Sequence, residues 1–245
     1  MKRIKTYVIN LVKDQDRKVY MEELLSPYPY LDVEFIEAVY GKELDSTEIP
    51  IVFDSEKAYK RYGRYCDLGE IGCTLSHRKI YKKIVEQEID YALILEDDIS
   101  IKGYLKNVLF PLDEYMKQKQ TKIVLLSGGY TYWMKKEYNG IKLAKVYDAN
   151  YTHSYLINNY AAQVLLEEKV PCIFADDWIY ISKKNILIEA IYPHIIDQNR
   201  DGRFISNVWE DTHRIYKNNL SSARLLTYIK NRIISKILCR MGRRE

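Results

Sequence analysis

Long apolar runs are missing from this 245-residue sequence. No stretch approaches the roughly 18 apolar residues of a membrane-spanning helix. Cysteine is scarce: Cys66, Cys73, Cys172 and Cys239 contain no CxxC pair, and the step from Cys66 to Cys73 does not match a zinc-knuckle spacing. Internal repeats and low-complexity tracts are absent as well. An export signal is not read either, because the opening "MKRIKTYVINL" is too short in its apolar part and runs directly into "VKDQDRK". The expectation is therefore a cytoplasmic protein with free thiols. With 47% hydrophobic and 29% charged residues, the composition is that of an ordinary folded, soluble chain.

What the sequence does have is an uneven charge. The total is only +4, yet from Thr212 to Glu245 nine Lys/Arg stand against one acid, a local balance of +8 that leaves −4 for the remainder. A mildly acidic body thus carries a basic tail. The 23 tyrosines are conspicuous and read as half-buried strand positions.

Along the chain, "KTYVINL" predicts a strand and Asp14 to Leu25 a helix with Val19, Met21, Leu24 and Leu25 inward. "DVEFIEAVYG" alternates like a second strand that closes at Gly41. Residues 42–68 read as irregular. Cys73, His77, Ile80 and Ile84 then fall on one stripe of a helix. "YALIL" and "KIVLL" are continuous apolar strands, the pattern of strands covered on both faces. Further strands are expected at "YTHSYLI" and "ILIEAIYP", and further helices at "YAAQVLLEE" and "DDWIYISK". "GGYTYWMKKEYNG" is either a loop that closes over a ligand or a surface hairpin. The alternation predicts an α/β fold with a mostly parallel central sheet flanked by helices. Ligands in such sheets sit at the carboxyl ends of strands.

Such an end carries Glu96, Asp97 and Asp98 in succession. Adjacent carboxylates repel one another, so a cation is expected to neutralise them. In an extended chain Glu96 and Asp98 converge on one side while Asp97 points away into the protein. The pair suits a hard divalent ion that shares its remaining positions with phosphate oxygens. The alternative is a solvated turn.

The ordered blocks reach further. "YVINL" with Arg17 downstream, "EAVYGKEL", "GEIGCTLSH" followed by "ALILEDD", "YLINNYAAQVLL", "ADDWI" and "DQNRDGRFIS" resemble glycosyltransferase family 25. That family contains bacterial lipooligosaccharide galactosyltransferases and collagen-modifying galactosyltransferases. Asn158 stands where the family pattern has serine, and the last block is matched through Gln198 and Ser206.

The resemblance implies a GT-A-like nucleotide-binding fold and a nucleotide-sugar donor, most often UDP-galactose. It also implies a divalent ion, Mn2+ or Mg2+, bridging the diphosphate. Glu96 and Asp98 are the metal-ligand candidates. Asn10, Arg17, Glu70, Ser76, His77, Asp97 and Gln198 are donor-site candidates, and the "KRYGRY" patch is either a further source of phosphate contacts or solvated surface. Glu70 has a second reading as a helix cap, and His77 as a buried core histidine. Inversion at the anomeric carbon requires a base for the acceptor hydroxyl. Asp176 is the first candidate by its block and Asp177 the reserve, with an N-cap as the competing role. Trp178 either stacks on a sugar ring or fills the core. His153, His194 and His213 are conceivable additional metal ligands.

The tail "ARLLTYIKNRIISKILCRMGRRE" sets Leu225, Ile229, Ile233 and Ile237 at four-residue spacing among basic residues, the pattern of a helix lying on an anionic membrane, with packing on the protein body as the alternative. The expected organisation is a catalytic domain over residues 1–215 and an amphipathic basic tail over 216–245. The expected function is an inverting, metal-dependent hexosyltransferase acting on a glycan or glycolipid acceptor, peripheral at the inner face of the cytoplasmic membrane. No nucleic-acid partner is expected, because the basic residues are confined to the tail. The alternatives are a catalytically silent nucleotide-sugar or glycan-binding module and a metal-dependent phosphohydrolase.

Overall fold

The structure is a computed structural model that describes residues 3–202, 204 and 219–245. The strand β1 (Ile4–Asn10), the helix α1 (Gln15–Leu25) and the strand β2 (Leu31–Glu37) make a parallel β–α–β unit. A 3-10 turn at Gly41–Glu43 and the short helices α2 (Ile49–Val52) and α3 (Ser55–Tyr62) lead to the long α4 (Leu68–Glu86). The strands β3 (Tyr91–Glu96) and β4 (Ile99–Ile101) bracket the acidic triplet, followed by α5 (Leu105–Met116) and β5 (Lys122–Leu125). Then come β6 (Tyr130–Tyr138), β7 (Ile141–Ala149), β8 (Ser154–Asn158), α6 (Asn159–Leu166) and α7 (Trp178–Ser182). The strands β9 (Leu187–Ile191) and β10 (Ile196–Gln198) and the helix α8 (Ser222–Arg240) complete the described elements.

Eight strands form one sheet in the order β2-β1-β3-β8-β5-β9-β7-β6. Their pairings set β2, β1, β3, β5, β9 and β6 in one direction, with β8 and β7 reversed. β4 and β10 form a separate antiparallel ribbon. The mostly parallel α/β sheet read from the sequence is therefore present. Its apolar strands feed two layers. Tyr7, Ala92 and Ile94 meet Ile80, Tyr81 and Ile84 of α4 on one face. Val8, Leu93 and Leu95 meet Met21 and Leu25 of α1 and Leu105, Leu109 and Leu112 of α5 on the other. A strand between two helical layers has no polar face to offer, which is why "YALIL" is apolar throughout.

Two expectations are corrected, one alternative is decided and one helix is added. Residues 42–68 hold a 3-10 turn and two helices, tied together by Phe53, Ala58, Tyr62 and Ile71. The "GGYTYWMKKEYNG" stretch is the β6–β7 hairpin, turned by Asn139 and Gly140 at φ of 47° and 79°. Two successive positive φ values make the tight turn that matches strand twist. α1 turns Arg17, Met21 and Leu25 inward and leaves Val19 exposed. α5, which carries Pro111, was not anticipated.

Two glycines fix where α4 begins. A Cβ on Gly41 would stand 1.7 Å from the Leu68 carbonyl oxygen, and one on Gly72 would stand 2.5 Å from that of Val39. Both obstacles are backbone, so the first turns of α4 lie directly against the chain that leaves β2. Gly72→Ala is expected to cost about 1–3 kcal/mol through overpacking. Thermal melts check this, and an unchanged Tm would mean that the contact opens freely.

Candidate functional site

The carboxyl ends of β1 and β3 lie side by side, with Ile9 in register with Glu96. The acidic triplet leaves β3 there and divides between two environments. Asp97 turns toward α1: Arg17 donates to its Oδ1 at 2.7 Å and Asn10 to its Oδ2 at 2.8 Å. Burial pushes the Asp97 carboxyl up to about 6 even though Arg17 and Asn10 pull it down. Asp98 accepts from Gln198 Nε2 at 3.1 Å through its Oδ2, which also lies 3.4 Å from Arg17. Its Oδ1 is buried without a hydrogen-bond partner among the described residues. Burial, then the charge of Glu96, raises the Asp98 pKa.

Glu96 faces the other way. Thr152 donates its hydroxyl to Glu96 Oε1, His153 Nδ1 meets Oε2 at 2.9 Å, and His77 Nε2 stands 3.9 Å from Oε1. Burial opposes ionisation of Glu96, but the hydrogen bond from His153 and the nearness of His77 outweigh it and hold the carboxyl well below its ordinary value. The triplet is thus met by the Arg17 guanidinium on one side and by the His153 and His77 rings on the other.

His153 has Nε2 buried and without a partner among the described residues. Glu96, Asp98 and His153 each place one donor atom within 4.8 Å of the others. Unpartnered buried acceptors are costly, and Asp98 Oδ1 and His153 Nε2 stand in one cluster. Two carboxylates and one imidazole are a donor set that could hold a divalent ion, with Glu96 orienting the His153 ring.

A cleft of about 450 Å³ opens over this cluster. Ile9, Leu11 and Ala38–Lys42 wall one side, and Tyr151, Ala175 and Asp176 stand on another. Asp176 is half-buried and accepts from the Tyr151 backbone N–H at 3.0 Å. Burial, with the charges of Asp177 and Glu96, raises its pKa. Asp177 does not line the cleft. It caps α7 through the Tyr180 N–H and accepts from Arg61 Nε and the Tyr62 hydroxyl. Trp178 is 1% exposed and donates to the Tyr151 carbonyl, so it fills the core.

The remaining candidates sort by what they touch. Asn10, Arg17 and Gln198 hold Asp97 and Asp98 in place. Glu70 completes the capping box of α4 with Asp67 and takes both guanidinium nitrogens of Arg64, at 2.8 and 2.6 Å. Ser76 accepts from the Val39 N–H and donates to the Gly72 carbonyl, fastening α4 to the chain after β2. Within the basic patch, Arg61 is paired with Asp177 and Arg64 with Glu70, and Arg64 also lines the cleft. His77 lies in the cleft wall, 1% exposed, with Nδ1 2.7 Å from the Tyr155 hydroxyl. His194 sits apart, against Glu245 and Asp197. Ser206 and His213 lie outside the described residues. Sequence reasoning did not single out Thr152 and ranked His153 only as one of three stray histidines. Their signal is the polar "YTH" directly before an apolar strand.

A mostly parallel α/β sheet with an acidic cluster at the carboxyl ends of its strands, sharing one cleft with a raised aspartate, places a ligand where such sheets bind them. The profile of Glycosyltransferase family 25 (LPS biosynthesis protein) matches residues 3–180, and the chain belongs to that family. It is 35% identical over 108 residues to Procollagen galactosyltransferase 1-A of Xenopus laevis, covering 42% of this chain and 17% of that protein. A Glycosyltransferase 25 family member of Aedes aegypti is 30% identical over 219 residues, covering 79% and 33% respectively. Procollagen galactosyltransferase 2 of Homo sapiens is 28% identical over 168 residues, covering 65% and 27%. The chain therefore spans a third or less of these relatives. Among solved structures, mannose-1-phosphate geranyltransferase from Thermus thermophilus matches with a TM-score of 0.41 and 10% identity, over 80% of this chain and 76% of that one.

Proposed function

We propose that the chain is an inverting glycosyltransferase that moves a hexose, galactose from UDP-galactose, onto a sugar hydroxyl of a lipooligosaccharide or related surface glycan. The observation that carries this reading is the cluster of Glu96, Asp98 and His153 opening into the same cleft as Asp176. Family membership and the names of the galactosyltransferase relatives support the donor class.

Glu96, Asp98 and His153 would hold a divalent ion, which when bound neutralises the charge that develops on the departing diphosphate. Arg17 adds a fixed positive charge beside that position, while Asn10 and Gln198 keep Asp97 and Asp98 from swinging away. The apolar wall of Ile9, Leu11, Ala38 and Val39 offers the nucleoside a dry face. In the same cleft, Asp176 takes the proton of the acceptor hydroxyl as that oxygen attacks the anomeric carbon. Its raised pKa suits a base that works near neutral pH.

The test is cleavage of a panel of UDP-sugars by water, with manganese and with EDTA. Manganese-dependent cleavage of UDP-galactose above the other donors is expected. Donor binding without turnover on any acceptor would favour a silent binding module, and phosphate release from simple phosphoesters would favour a phosphohydrolase.

The tail supports peripheral contact with an anionic bilayer, the surface on which a glycolipid acceptor is presented. α8 turns Leu238 inward and holds to the β7 strand through Asn231 and Ser235, which meet Tyr147 and Asp148. Ile229, Ile233 and Ile237 stay 43%, 52% and 49% exposed, flanked by Lys230, Arg232, Lys236 and Arg240. No helix among the described residues is long and apolar enough to cross a membrane. Pelleting with phosphatidylglycerol vesicles, lost in high salt and in an Ile229→Ser/Ile233→Ser variant, is the expected result. Equal pelleting of that variant would remove the helix from the membrane reading.

A further inference from the structure

A second trio of donor atoms meets in the cleft, apart from the cluster assigned above except for one shared residue. Cys73 and His77 lie one turn apart on α4, and Cys73, His77 and Glu96 each place one ligand atom within 4.8 Å of the others. A plain core histidine satisfies both ring nitrogens. His77 does not. Its Nδ1 is anchored at 2.7 Å by the Tyr155 hydroxyl, which in turn meets the Tyr81 hydroxyl at 2.8 Å. Its Nε2 is buried, has no hydrogen-bond partner among the described residues, and faces Glu96 Oε1 at 3.9 Å. An imidazole with one nitrogen held and the other presented is the arrangement that metal-binding histidines adopt.

The spacing fits a small tetrahedral ion. Bonds of about 2.0–2.3 Å to nitrogen, oxygen and sulfur place ligand atoms roughly 3.3–3.8 Å apart. The His77–Glu96 separation is already close to that range, and the Cys73 thiol closes the rest by a side-chain adjustment. Three protein ligands leave a fourth position facing the cleft.

We propose that Cys73, His77 and Glu96 form a site for Zn2+ or another thiophilic divalent ion, overlapping the Glu96–Asp98–His153 site at Glu96. Binding replaces the S–H bond of Cys73 by a metal–sulfur bond and gives the proton to solvent. Because Glu96 serves both trios, occupation of the soft site draws this carboxylate away from the hard one. Thiophilic ions then act as antagonists of Mn2+ in this cleft, a control on the same site that the transfer reading uses. The proposal itself rests on the donor geometry and stands without that reading.

The test uses the full chain freed of metal. Titration with Co2+ is expected to produce the intense near-ultraviolet thiolate-to-cobalt band, absent in Cys73→Ser and retained in Cys239→Ser. His77→Gln, whose amide can keep the Tyr155 hydrogen bond, is expected to weaken Zn2+ binding by at least about 10-fold. Zn2+ added to the Mn2+-loaded protein is expected to release Mn2+, read by its electron paramagnetic resonance, in the wild type but not in Cys73→Ser. A missing cobalt band, or a band indifferent to Cys73→Ser, overturns the site. Zn2+ and Mn2+ bound together overturns the overlap. Failure of the transfer reading would look different: no donor is cleaved while the cobalt band persists.

Discussion

Asp98→Ala is expected to lower manganese-dependent donor cleavage on the order of 10²–10³-fold, the size of effect seen when one preorganised charge-stabilising group is removed from a transition state. The same change is expected to leave the metal-free protein as stable as the wild type at neutral pH, or more so. Both follow from where Asp98 sits. Its Oδ1 has no partner among the described residues, and burial with the charge of Glu96 raises its pKa. A group whose folded pKa lies above its unfolded value contributes stability below the unfolded value and loses it as pH rises through the folded one. Metal-free wild type should therefore gain stability on acidification from neutral pH toward the ordinary aspartate range, and Asp98→Ala should show a flatter curve. Glu96 does not confuse the measurement. Its folded pKa is depressed, so its contribution is present above the ordinary glutamate value and is lost only at much lower pH. Thermal melts against pH, paired with cleavage assays, separate a ligand from a structural carboxylate. A variant that melts early and loses activity only in proportion would reassign Asp98 to the scaffold.

Asp176→Asn is expected to reduce transfer to an acceptor by about 10²–10⁴-fold, the usual worth of a positioned base, with donor affinity little changed. The pH profile carries the sharper signature. Burial, reinforced by Asp177 and Glu96, raises the Asp176 pKa. The acidic limb of kcat/KM should therefore lie above the ordinary aspartate value and vanish in the variant. Asp177→Asn serves as the contrast. Losing the carboxylate that Arg61 and Tyr62 share is expected to lower Tm while the limb remains. If the limb followed Asp177 instead, the roles would have to be exchanged.

Several parts of this site were legible before any coordinates. "GEIGCTLSH" and "ALILEDD" declare themselves because one stripe of α4 and both faces of β3 are buried, and burial writes a period into the residues. The capping role of Glu70 was equally readable, since Asp67 and Glu70 have the spacing of a capping box. α2 and α3 were not, because elements so short have little periodicity and depend on Phe53 and Tyr62 finding Ile71 from another helix. The β6–β7 hairpin did advertise itself through Asn139-Gly140. Its outer half, "WMKKEY", is exposed, so the sequence left a loop closing over a ligand open beside the surface hairpin. Arg17 shows a different limit: an arginine on the inward stripe of α1 breaks the apolar pattern because its partner, Asp97, arrives from another strand. His153 could not be ranked above His194 or His213, since what distinguishes it is the order and direction of strands.

That direction has a consequence for how the protein comes into being. β8 is the seam between the β2-β1-β3 half and the β5-β9-β7-β6 half, and it runs against both neighbours. Its start, at Ser154, therefore lies beside Leu95. A parallel β8 would have delivered Thr152 and His153 to the opposite edge. Pairings so distant along the chain are slow to form, because loop entropy is lost before any contact compensates. Until β8 has docked, the chain carries the acidic triplet and His77 but has nothing to hold His153 against Glu96, and β3 and β5 each keep an unpaired edge. Docking of this one strand joins β3 to β5 and brings His153 to Glu96 in the same step, so the sheet and the acidic cluster are completed together.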